Sequence, residues 1–250
     1  MPVQRLSAFL ARAGIASRRK ADDLIYDGKV YVNNIKVIEP FYRVDSDKDI
    51  VTVSGKRVTS PQHREYIVLY KPTGYISDLK DPVDRPIARN LIASGARLFP
   101  VGRLDYNSEG LIFFTDDGDF ANRVMHPRYA VDKEYLVKFK GRLTAEDLAR
   151  AIRGIEIEGE HYQVRNISLV RDTEHNGWYR VIVNEGKNRM IRKIGDALRH
   201  PVLKLRRIRI GPVTLRDMTP GHYRHLTPRE LSALIGHAPE SDKPPKMGQP

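Results

Sequence analysis

From residue 66 onward, strand-like runs follow one another without a helix between each pair, and this order constrains the fold more than any other feature of the chain. Apolar alternation and short continuous apolar runs predict strands over 66–70, 98–101, 110–115, 133–140, 155–158, 163–170, 178–183 and 202–210. Helical periodicity predicts helices over 86–93, 118–125, 144–153, 188–199 and 228–235. A doubly wound fold needs regular alternation of strand and helix. The order here predicts an α+β domain around a largely antiparallel or mixed sheet. Thr227, Pro228 and Glu230 spell a capped helix start, as do Thr144 and Asp147.

The first 59 residues have a different pattern. Leu6, Phe9, Leu10 and Ala13 form one face of a short helix that Gly14 can end. Ser17 is placed to cap a second helix, Arg18 to Asp27, burying Ala21, Leu24 and Ile25. "KVYVNN" and "IKV" predict a hairpin turning at Asn33-Asn34, and "DIVTV" a further strand. The expected organisation is a small module over 1–59, a linker "SPQHRE" over 60–65, a larger domain over 66–235 and a disordered tail over 236–250.

Lysine and arginine number 43 against 31 aspartates and glutamates, a net charge of +12. A surplus of this kind suits a polyanion, either nucleic acid or an acidic membrane surface. No run of about 18 apolar residues is present to span a bilayer. The absence of cysteine excludes disulfides and thiolate metal sites. The first twenty residues are basic and free of acids, as in a transit peptide. They run directly into the small module, so they are read as part of a folded intracellular protein.

The charge is clustered. Between Lys187 and Arg209 lie nine basic residues (Lys187, Arg189, Arg192, Lys193, Arg199, Lys204, Arg206, Arg207 and Arg209) opposed by Asp196 alone. Ordinary surfaces intersperse signs, so a phosphate-binding face is expected. Arg189, Arg192 and Lys193 are predicted to share a helix face, and Lys204 and Arg206 a strand face. Arg18-Arg19-Lys20 opens the second helix, where cations oppose the macrodipole; phosphate binding gives them a purpose there, with Arg5 and Arg12 nearby in sequence. Zinc-finger, basic-zipper and ribonucleoprotein motifs are all missing, which favours structured RNA over DNA.

Within this basic chain, "FPVGRLDYNSEGLIFFTDDGD" places Asp105 in a short polar loop before the apolar run Leu111 to Phe114. By residue type alone Asp105 reads as turn chemistry, Tyr135 as a strand aromatic and Arg192 as a phosphate contact. "TDDGD" reads as a turn entering a helix rather than as a magnesium site.

In order along the chain, "RLSAFLARAGIASRRKADDLIYDGKVYVNN" resembles the alpha-L RNA-binding module first described in a small-subunit ribosomal protein. "VGRLDYNSEGLIFFTDDGDFANRVMHP", "DKEY" and "NEGKNRMIRKIGDALRHPVLKLRRIRIGP" resemble the motifs of bacterial ribosomal RNA pseudouridine synthases of the RsuA/RluB type. The resemblance covers roughly residues 4 to 235. It implies a bifurcated mixed sheet with a cleft between its halves, Asp105 as the catalytic residue, Tyr135 packed on the target base and Arg192 paired with Asp105. Ser108 stands where threonine is commoner, Met190 where glutamine is commoner, and Asp84 where glycine is usual, so the Asp84 loop is expected to differ.

The implied reaction breaks the glycosidic bond of a uridine, turns the base and rejoins it to the ribose through carbon 5. It needs no cofactor and no metal. A carboxylate near RNA phosphates is expected to need a close arginine, holding it by a forked hydrogen bond. Arg103, two residues away, and Arg192 are the expected partners of Asp105. A pair of carboxylates, the usual glycosidase equipment, is not seen. Expected RNA contacts are Arg5, Arg18, Arg19, Lys20, Arg103, Lys187, Asn188, Arg189, Lys193, Lys204, Arg206 and Arg207. The expected substrate is ribosomal RNA, with the large subunit favoured, free or in an assembling particle, and the expected actor a cytoplasmic monomer. The alternatives are a small-subunit enzyme and a non-catalytic assembly factor.

Overall fold

The computed structural model describes residues 3–59 and 63–236, which divide into two compact units. The first comprises the described residues up to Glu65 with Gly95–Arg97 and Asp116–Gly118, and the second holds the other described residues. Residues 63–65 of the expected linker group with the first unit, where the Glu65 amide donates to the Asp116 carboxylate at 3.0 Å. Residues 60–62 and the expected tail beyond Gly236 lie outside the described residues.

In the first unit, helices Leu6–Arg12 and Arg18–Tyr26 pack on a sheet whose strand Val30–Val32 lies between Ile35–Val37 and Val51–Val53. Ser17 caps the second helix by accepting from the Lys20 amide at 3.3 Å. Asn33 and Asn34 turn the hairpin at φ +50° and +67°, as a tight primed turn requires. Leu6, Phe9, Leu10, Ala21, Ile25, Val30 and Val51 form a core with almost no exposure. A two-residue ladder of Gln4–Arg5 with Arg43–Val44 is too short to leave a sequence signal.

The second unit is built on a nine-stranded sheet. Its main path runs Asn166–Asp172, Asn176–Val183, Lys133–Lys140, Val202–Ile210, Glu109–Thr115, Tyr66–Lys71, Tyr223–His225. Every neighbour pair is antiparallel except Val202–Ile210 against Glu109–Thr115, which meet in parallel over two residues, Arg206 with Glu109 and Arg207 with Gly110. The sheet therefore parts into two halves about this short junction. Gly110 makes the junction possible: at φ +116°, a Cβ there would lie 2.2 Å from the Arg207 carbonyl oxygen.

The helices Gly118–Met125, Ala145–Arg153, Met190–Ala197 and Pro228–Ile235 occupy their expected places, and Thr144 and Thr227 head complete capping boxes. The helix expected over 86–93 is instead a single 3-10 turn, Ala88–Leu91. Backbone bonds between Ile76 and both Pro86 and Ala88 hold this segment in a bridge, and the Arg89 guanidinium takes the Ile92 and Ser94 carbonyls. The strand expected over 163–170 starts at Asn166, because Glu160–Tyr162 folds back on Ile155–Ile157 through Glu158 and Gly159, both at positive φ.

Candidate active site

The loop from Gly102 to Ser108 lies directly before strand Glu109–Thr115, so the sheet junction fixes its exit. A turn closed by the Ser108 amide on the Asp105 carbonyl (3.0 Å) presents the Asp105 side chain, about one third exposed. Beneath it Lys71, with no exposed surface, donates from Nζ to the carbonyls of Ser108 (2.7 Å), Pro72 (2.9 Å) and Asp105 (3.2 Å). Burial lowers the Lys71 pKa to about 8, with the Asp105 charge opposing the shift. Sequence reading missed this lysine; its one trace is a charge at the end of the apolar strand 66–70.

Arg192 reaches the loop from the helix Met190–Ala197. Its Nε donates to Asp105 Oδ2 at 3.1 Å and its Nη2 to Ser108 Oγ at 3.1 Å, while Nη1 donates to the Val202 carbonyl at 3.3 Å. The expected fork on the carboxylate is therefore replaced by a span: one guanidinium fixes Asp105 and Ser108 together. Arg189, the left-handed residue before this helix at φ +50°, adds a second cation 3.5 Å from Asp105 Oδ2. Arg103 does not pair with Asp105; its guanidinium faces Asp78 at 3.6 Å.

Tyr135 lines a cleft of about 190 Å³ with Asp105, Lys133, Arg189, Leu205 and Arg207. The Tyr135 hydroxyl accepts from Arg207 Nη1 at 3.3 Å. Arg207 is 3% exposed and is also tied to the Leu111 carbonyl at 2.6 Å, so it supports the tyrosine instead of meeting phosphate at the surface as expected. Its Nη2 is buried with no hydrogen-bond partner among the described residues. Lys133 is buried beside it, and burial followed by the Arg207 charge lowers its pKa to about 8. It stands in the "DKEY" segment, where nothing local to the sequence distinguishes it from a surface lysine.

The remaining expected RNA contacts scatter. Lys187 lines the cleft, whereas Asn188 is exposed and does not. Lys193 turns to Glu158 (2.9 Å) and Tyr162 (3.1 Å), away from the face expected to carry it with Arg192. Lys204 and Arg206 alternate with the cleft residues Leu205 and Arg207, so they project from the opposite side of the sheet. In the first unit Arg18, Arg19 and Lys20 are exposed, and Arg5 lies 4.9 Å over the Phe41 ring. Met190 is buried in the cleft wall, and Asp84 takes φ +55°, the left-handed conformation that a glycine adopts freely.

Residues 65–196 match the family model described as RNA pseudouridylate synthase. The chain belongs to this family. Residues 4–50 match the S4 domain, an RNA-binding module, ahead of the synthase domain. An "Uncharacterized RNA pseudouridine synthase" of Aquifex aeolicus is 41% identical over 233 residues, 92% of this chain and 93% of the relative. The "Ribosomal large subunit pseudouridine synthase B" of Bacillus subtilis is 38% identical over 235 residues, 93% of this chain and 96% of the relative. A solved pseudouridylate synthase superposes with a TM-score of 0.65 at 26% identity, over 92% of this chain and 99% of its own. The synthase family fits the two-part sheet and the cleft at its junction. Among the described residues no helix is long and apolar enough to cross a membrane.

Proposed function

We propose that this synthase converts one uridine of large-subunit ribosomal RNA to pseudouridine, with Asp105 as the catalytic carboxylate. The observation that carries the reading is the Asp105 carboxylate, held by Arg192 and Arg189 in a cleft that Tyr135 also lines. Full-length likeness to the Bacillus subtilis large-subunit enzyme supports the choice of RNA.

A stacked uridine is out of reach of Asp105, so the base must be turned out of the RNA into the cleft. Tyr135 supplies an aromatic wall for it, and stacking of this kind contributes about 1–3 kcal/mol per base. Arg207, whose Nη1 donates to the Tyr135 hydroxyl, holds that wall in place. Arg192 and Arg189 keep a carboxylate compatible with approaching phosphates and fix its oxygens beside the ribose. During the isomerisation the bond from ribose carbon 1 to base nitrogen 1 breaks. The base rotates, carbon 1 bonds to carbon 5, and the carbon 5 proton passes to nitrogen 1.

The exposed Arg18, Arg19 and Lys20 suit RNA phosphates outside the cleft. The enzyme is read as a monomer, and ribosomal RNA as substrate supports a cytoplasmic setting. The test is pseudouridine formation on unmodified large- and small-subunit ribosomal RNA transcripts and on assembly intermediates. A single new site in the large-subunit RNA is expected. A site confined to small-subunit RNA would overturn the choice of substrate.

A further inference from the structure

The cations that the cleft does not use point to a second RNA-contact surface. In the half of the sheet formed by Asn166–Asp172, Asn176–Val183, Lys133–Lys140 and Val202–Ile210, residues facing one side pack inward. Val137, Phe139, Tyr179 and Val181 are buried there, and the helix Met190–Ala197 approaches Phe139 at Gly195. Alternate residues face the other way and stay partly or fully open to solvent.

On this outer face the strand registers align one row across four strands. Arg171 lies opposite Trp178, Trp178 opposite Lys138, and Lys138 opposite Lys204. At about 4.8 Å per strand interval the row is about 14 Å long. Arg171 and Lys204 are exposed, and Lys138 and Trp178 are half-buried. None of the three cations has a carboxylate partner among the described residues. The adjacent row differs: its cations Arg180 and Arg206 each have a carboxylate partner, Glu134 at 2.9 Å (shared with Arg209) and Glu109 at 2.7 Å. Trp178 is the only tryptophan of the chain.

We infer that this row is a docking surface for RNA outside the reaction cleft, with Trp178 stacking on an exposed base and Arg171, Lys138 and Lys204 meeting phosphates on either side. Charge complementarity selects the occupant. Three unneutralised cations flanking one aromatic suit a polyanion that carries flat apolar bases, and they disfavour an apolar protein face. The face points away from the cleft, so it engages a different stretch of RNA from the uridine being modified. The inference rests on the proposed ribosomal RNA substrate: a long, folded RNA can present both stretches to one enzyme, whereas a short hairpin cannot.

Because Trp178 is unique, tryptophan emission of the full chain reports on this face alone. Titration with an unmodified large-subunit ribosomal RNA transcript is expected to change the emission, and a short hairpin carrying the modified uridine is expected to leave it unchanged. The double variant Lys138→Ala with Arg171→Ala, which keeps the tryptophan, should bind the long transcript at least about fivefold more weakly. Its slope of log affinity against log salt should fall by about 1–2, and hairpin turnover should remain at the wild-type rate. Unaltered emission at saturating long RNA, or equal affinity and slope for the double variant, would overturn the assignment. So would an emission change produced by ribosomal proteins and not by RNA. If pseudouridine forms normally while Trp178 is silent, this surface alone fails. If no ribosomal RNA is modified at all, the functional reading fails first.

Discussion

Arg192 does not grip Asp105 alone; it holds the Asp105 carboxylate and the Ser108 hydroxyl with different nitrogens, both at 3.1 Å. The two ends of the loop turn are thereby set relative to each other by a side chain from another element. A lysine keeps the charge but has one nitrogen and cannot span both partners. Arg192→Lys should therefore bind RNA within about twofold of wild type, since one cation replaces another. Turnover at saturating RNA should fall about 10–100-fold, the cost of losing one charge-assisted hydrogen bond at about 1.5–3 kcal/mol. Single-turnover kinetics would check it, and wild-type turnover would show that the span is dispensable.

Lys71 gives the site a pH dependence of defined sign. Protonated, it has three donors for three carbonyls; neutral, it has two. Activity should decline as pH rises through about 8, when one carbonyl of the Asp105 loop loses its donor. Stability should move the other way. The folded pKa of about 8 lies below the roughly 10.4 of a free lysine, so the unfolded chain binds more protons between these values. This group's contribution therefore rises with pH across that window, and Lys133, also lowered to about 8, adds in the same direction. Parallel rate and denaturation profiles from pH 7 to pH 10 would test the pairing, with Lys71→Met losing the activity step.

The sheet junction predicts a severe effect from a single methyl group. In Gly110→Ala the new carbon would meet the Arg207 backbone at 2.2 Å and strain a residue at φ +116°. Overpacking and backbone strain together should cost about 2–5 kcal/mol, read as a shift in the denaturation midpoint. A loss below about 1 kcal/mol would mean that the two halves can separate freely.

Exposed Arg18, Arg19 and Lys20 predict a salt signature for the first unit. Replacing all three with alanine should lower the slope of log affinity against log salt by about 2–3, in line with one released counterion per lost phosphate contact. Binding titrations between low and moderate salt would measure it. An unchanged slope would assign RNA contact elsewhere.

The parts legible in the sequence share a physical cause: local rules leave local traces. Ser17, Thr144 and Thr227 marked helix starts because their side chains accept from backbone amides three residues on. Strand 133–140 was readable because burial alternates along it. What escaped depended on distant partners. Arg207 looked like a surface cation, yet the junction with Gly110 buries it under Tyr135. Lys204 and Arg206 shared a strand face as expected, but only the sheet's architecture shows that this face is turned from the cleft. Lys71 left little signal because its three acceptors are backbone carbonyls, the nearest from the next residue and two from a loop more than thirty residues away. The 3-10 turn at Ala88–Leu91 shows apolar periodicity giving way to backbone pairing with Ile76.

The most direct test of the account is to map pseudouridines in ribosomal RNA lacking the modification after incubation with wild-type protein and with Asp105→Ala in parallel. One new site in large-subunit RNA is expected from the wild type. Asp105→Ala should make it at least about a thousandfold more slowly, within the range for a lost acid–base or nucleophilic group, with RNA affinity nearly unchanged. Equal modification by both proteins would contradict the catalytic assignment of Asp105.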